Sequence, residues 1–114
     1  MDSLPLIDLL TEARSYIAKP GQWVQGRSRL QRVNDAVERR DMFGAVLHAR
    51  RRDEVEADPF AFERFCSAIT ALNTVVQIEG FADIKAYNDH PKRKHAEVLM
   101  VFDVAIARLD GTLR

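Results

Sequence analysis

The run from Val98 to Ala107 constrains this chain most. Only Asp103 in it carries a charge, and Val98, Leu99, Met100, Val101, Phe102, Val104, Ala105 and Ile106 point in almost every direction around a helix. A helix that is apolar all round must be covered on more than one side. The remaining elements are therefore expected to pack around it, with a second copy or another protein covering part of Met100, Val101 or Val104. The spacing predicts a helix from about Pro91 or Lys94 to Leu109, with Gly111 in the usual stop position.

The other elements follow from periodicity and breakers. Over residues 3–19, Leu6, Leu9, Leu10, Ala13, Tyr16 and Ile17 recur at three-and-four spacing, with Ser3 as cap and Pro20-Gly21 as stop. Gln22 to Gly26 reads as a loop anchored by Trp23, whose indole N–H needs a partner when buried. Leu30, Val33 and Val37 suit a helix to about residue 40, with a turn near Gly44. Residues 45–49 and 54–57 suit either a helix or a small β-hairpin. Asp58-Pro59 opens a helix with Phe62, Phe65, Cys66, Ile69, Leu72 and Val76 on one stripe. Gly80 ends it, Phe81–Tyr87 forms a short helix, and Asn88-Asp89-His90-Pro91 makes a polar corner.

These elements amount to one domain over residues 1–114. It is all-α or mostly α, with four to five helices around the C-terminal one and room for a short hairpin between residues 40 and 57. One cysteine, Cys66, excludes an internal disulfide framework and suits a reducing cytosol. The first residues lack a basic-then-apolar signal pattern, and Asp103 interrupts the best candidate for a membrane span. The formal net charge of zero gives no global pull toward nucleic acid. The charge is uneven, however: eight arginines and three acids lie between Arg27 and Arg52, followed by Asp53, Glu54, Glu56 and Asp58.

Four candidate chemistries can be weighed. Cys66 sits two turns into its predicted helix on the apolar stripe, away from the helix N-terminus that would activate a thiol, so it reads as a core residue and no catalytic residue is assigned. His48, His90 and His95 lack metal-ligand spacing, so no metal or cofactor is expected. Trp23, Gln25, Asn88 and Asp89 are the candidate ligand pocket; the alternative is that Trp23 plugs the core while the Asx pair makes turn and capping bonds. Arg50, Arg51 and Arg52 with Lys92, Arg93, Lys94 and His95 are the candidate anion site for phosphate or a nucleic-acid backbone; the alternative is two solvated basic patches.

Taken in order, Trp23-Val-Gln25-Gly26, Asp58-Pro59, Phe65-Cys66, Tyr87-Asn88-Asp89 and Glu97-Val98-Leu99 resemble a family of small bacterial and phage proteins catalogued as a domain of unknown function. That pattern reads Trp-Cys-Gln-Gly, Asp-Pro, Trp-Cys, Trp-Asn-Asp and Thr-x-x-Glu-Val-Leu. Here Val24 replaces a cysteine, Phe65 and Tyr87 replace tryptophans, and Lys94 replaces a capping threonine. The resemblance implies a fold and carries no reaction. Lys94 cannot accept a hydrogen bond, and its cation opposes the helix dipole by about 0.3–1 kcal/mol, which would move the helix start back to Asp89 or His90. The expected function is association with itself or a protein partner in the cytoplasm. Phosphate or nucleic-acid binding, and a small-molecule or hydrolytic site, stand as alternatives.

Overall fold

A computed structural model describes residues 4–26, 30–34, 37–55 and 58–111. Its last helix, α5 (His95–Asp110), buries Val98 and Phe102 completely and Val101 and Ala105 almost so, while Met100 on the same helix stays 60% exposed. Helix α1 (Leu4–Ser15), which buries Leu9, Leu10 and Ala13, lies against α5, and α3 (Ala61–Ile78) packs on both. Helix α2 (Met42–Val55) covers α1 and α3, and the short α4 (Ile84–Asn88) joins α3 to α5. The mostly α expectation holds, and the apolar C-terminal helix sits within the packing of the others.

The start of α5 corrects the expectation of a shift to Asp89 or His90. The helix begins at His95 with Lys94 as its cap residue in extended backbone, and the Lys94 side chain makes no capping bond. Instead the Lys94 N–H donates to Glu97 Oε1 at 2.8 Å, the half of the capping box that glutamate supplies. That hydrogen bond holds the Glu97 carboxyl below its ordinary pKa, with Arg93 adding to the effect. At the other end Gly111 takes φ 81°, a left-handed turn that closes on the carbonyls of Ala107 and Arg108.

The middle of the chain departs furthest from expectation. Where a helix to residue 40 was predicted, β1 (Leu30–Asn34) and β2 (Val37–Arg40) pair antiparallel, with a register irregularity between Arg32 and Asn34. Where a hairpin was allowed between residues 40 and 57, residues 42–55 are helical. The cause is Asp41. Its Oδ1 accepts from the Gly44 N–H at 2.6 Å, its carbonyl accepts from Ala45, and Met42, Ala45, Val46 and Ala49 then fall on one buried face. Gly44 lies inside α2 rather than in a turn. β2 is tied to the Trp23 loop, since the Val24 N–H donates to the Arg40 carbonyl at 3.1 Å.

Helix α3 is rotated from its predicted phase. It starts at Ala61, because Asp58, Pro59 and Phe60 form a turn outside it in which Asp58 accepts from the Phe60 N–H and pairs with Arg64 at 2.6 Å. Ala61, Ala68, Leu72, Val75 and Val76 are buried, whereas Phe62 is 62% exposed and Cys66 faces solvent. Cys66 is therefore not a core residue. The predicted cap Ser3 lies outside the described residues.

Candidate functional site

The four residues of the predicted ligand pocket do come together, at the junction of the Trp23 loop, the start of α2 and the end of α4. Asn88 is at the centre and only 1% exposed. Its Oδ1 accepts from Trp23 Nε1 at 2.8 Å and from the Met42 N–H at 3.1 Å. Its Nδ2 donates to the Val24 carbonyl at 3.1 Å and to Asp89 Oδ1 at 3.0 Å. Two donors and two acceptor positions are all that an amide side chain offers, so Asn88 has no hydrogen-bonding capacity left for a ligand.

The neighbours are engaged in the same way. Gln25 Nε2 donates to the carbonyls of Asn88 and His90 at 2.9 and 2.7 Å. Asp89 Oδ1 also accepts from the Gly26 N–H at 2.9 Å, and Gly26 reaches that position with φ 102°, where a side chain would be strained. Lys85 closes the rim, with Nζ 3.0 Å from both the Gly26 carbonyl and Asp89 Oδ2 and 3.9 Å from the buried Asp41 carboxylate. Burial would raise the Asp89 carboxyl, but the Gly26 N–H, the Asn88 amide and Lys85 together hold it below the ordinary carboxylate range. Lys85 was not foreseen; its i, i+4 spacing to Asp89 on a short helix was the available signal.

The two basic runs meet different fates. In the second, the Arg93 side chain is only 8% exposed. Its guanidinium lies 3.4 Å from the Tyr87 ring centroid and 5.0 Å from that of Phe81, and its Nε donates to the Tyr87 carbonyl. His95 Nε2 lies 2.6 Å from the Ile17 carbonyl and so donates to it, fastening the start of α5 to the end of the α1 segment. Lys92 and Lys94 remain exposed. In the first run Arg50 stacks over Phe62 and Phe65 at 5.4 and 5.1 Å, Arg51 is exposed, and the Arg52 side chain lies outside the described residues. No described contact joins the two runs. Among the described residues no group of three or more His, Cys, Asp or Glu is placed to hold a metal, and no helix is long and apolar enough to cross a membrane.

A different surface stands out along the seam between α3 and α5, and sequence reasoning located only part of it. Val75 and Ile78 face Met100, Val101 and Val104 around a hollow of about 190 Å³, with Glu79 and Glu97 at its rim. A second hollow of about 240 Å³ follows, between Ala71 and Thr74 on one helix and Ala105, Arg108 and Leu109 on the other. A third, shared by Ala71 and Leu109, reaches Cys66 and Leu6. Ile78 is 69% exposed and Met100 60%. Met100 and Val104 were expected to need cover and do lie here, whereas Val101 is already buried within the chain. Ile78 lies two positions beyond Val76, the last residue of the predicted stripe, so its exposure was not readable.

Comparison with curated proteins and with solved structures finds no match. A family model does match, over residues 1–108, which takes in the Trp23 loop, the Asn88 corner and nearly all of α5. The resemblance carried by Trp23-x-Gln25-Gly26, Asp58-Pro59, Asn88-Asp89 and Glu97-Val98-Leu99 thus holds over almost the whole chain: it belongs to the family of unknown function DUF6197.

Proposed function

We propose that the protein works by association with another macromolecule, with the α3–α5 seam as its contact face. The observation that carries this reading is the pair Ile78 and Met100, both more than half exposed beside an apolar hollow on helices that elsewhere bury Phe102 and Leu72 fully. Covering those two side chains would contribute on the order of 2–4 kcal/mol. Association alone costs more than that, so the hollows beyond them must take part. Catalysis is the weaker reading because the polar groups gathered at the Asn88 corner are spent on one another. A cytosolic setting belongs to the proposal and suits a chain whose single thiol faces solvent.

Cross-linking in native lysate tests it. Wild-type protein should give higher-mass adducts, and Met100→Glu should lose them while keeping the wild-type circular dichroism spectrum. Adducts that persist unchanged in a folded Met100→Glu protein would remove the seam from consideration.

A further inference from the structure

We infer that the occupant of the α3–α5 seam is a second copy of this chain, seated antiparallel across a two-fold axis. The inference rests on the seam being the association face, and it is carried by how charge is laid out along it.

The lining residues give the direction of the two helices. Ile78 and Val75 lie beside Met100, Val101 and Val104, while Ala71 and Thr74 lie beside Ala105, Arg108 and Leu109. The later part of α3 thus meets the earlier part of α5, so the helices run antiparallel and the seam has two distinct ends. One end carries the exposed Glu79, next to a Glu97 already paired with Arg93 at 3.4 Å; the other carries Arg108. Asp110, two positions beyond Arg108, lines neither of the hollows at that end. From Cys66 to Ile78 the seam follows about 18 Å of α3.

A two-fold contact requires a patch that complements itself. Rotating the seam about an axis through its middle brings the acidic end of one copy onto the basic end of the other, twice over. The same rotation carries the exposed Met100 of each copy toward the second hollow of the other. That hollow is floored by Ala71 and Ala105, and an unbranched thioether chain adapts readily to such a space. A partner helix with a uniformly basic flank would match only the Glu79 end and would meet Arg108 with like charge. A uniformly acidic one would fail at the opposite end. Both charges and the apolar middle are satisfied together by the seam itself.

Charge reversal on the purified full chain gives a test whose arms do not depend on folding defects, because Glu79 and Arg108 are both exposed. Sedimentation velocity over the micromolar range should show a dimer for wild type. Glu79→Arg alone and Arg108→Glu alone should each weaken it on the order of 100-fold, since each places two like-charge contacts across the axis. Mixing these two variants, or combining both substitutions in one chain, should restore dimerisation. A wild-type chain that stays monomeric overturns self-pairing, and Met100-dependent adducts to another protein in lysate would then leave the seam reading in place. A dimer indifferent to Met100→Glu overturns both. A dimer lost with Met100→Glu but unmoved by either charge reversal overturns the antiparallel arrangement.

Discussion

Two regions of this molecule gather unusual residues, and they differ in what they leave unsatisfied. At the Asn88 corner every donor and acceptor of one buried amide is used, and three chain segments are pinned by it. Along the α3–α5 seam the reverse holds: the helices are well buried behind, yet Ile78 and Met100 are left in water in front. A cluster of polar side chains looks like a site until its hydrogen bonds are counted. Here the count closes the corner, and the exposed apolar side chains of the seam are what the proposed association rests on.

The comparison can be broken at its strongest point first. Asn88→Ala should destabilise the protein by about 3–5 kcal/mol, because the Trp23 indole, the Met42 N–H and the Val24 carbonyl would lose a partner in a buried place. Urea unfolding measures this, and a loss near zero would show that the corner is not holding the loop. Trp23→Phe keeps the ring but removes one donor, while Asn88 keeps Met42; a smaller loss of about 1–2 kcal/mol is expected by the same method. Acid should act in the same direction. The Asp89 carboxyl sits below its ordinary value of 3.8 in the folded state, so its contribution is complete above that value and fades as pH falls through the lower folded one. Trp23 fluorescence followed from neutral pH into this range should report loosening only below about pH 4, and Asp89→Asn should remove that step.

Much of this fold was legible because its strongest elements obey simple periods. The last helix declares itself by having almost no polar face, and its stop at Gly111 is a plain left-handed cap. The α3 stripe shows why legibility has limits. Phe62 and Cys66 share a helical spacing with Phe65 and Ile69, yet they face solvent, while the small Ala61 and Ala68 and the branched Val75 turn inward with Leu72 and Val76. When apolar residues surround a helix, pattern gives its presence but not its rotation; the neighbours decide that. The stretch from Leu30 to Arg40 misleads differently. Leu30, Val33 and Val37 fit a helix, and Arg32, Arg39 and Arg40 in the same stretch are good helix formers, but the backbone of this segment pairs as β1 and β2 with β2 joined to the Trp23 loop. That tertiary partner is invisible in local pattern. Trp23, Gln25, Asn88 and Asp89, named from sequence as a candidate pocket, do lie together. Only the bond inventory around Asn88 shows what those residues do there.

The smallest expected effects lie on the open side. Cys66→Ser should change stability by no more than about 0.5 kcal/mol, as for other exposed positions, and the native thiol should alkylate without denaturant. A thiol that reacts only after unfolding would mean that α3 is rotated from the phase described.

Two methionines allow the contrast between closed corner and open seam to be read in one experiment. Met42, whose N–H is held by Asn88, is fully buried, and Met100 stands on the seam. Oxidation by dilute peroxide, followed by peptide mass analysis, compares the same chemistry at both places across protein concentrations. The expected result is rapid oxidation of Met100 in dilute protein, slowing as concentration rises, with Met42 resistant throughout. Equal rates at the two residues, or a Met100 rate that does not change with concentration, would contradict the account.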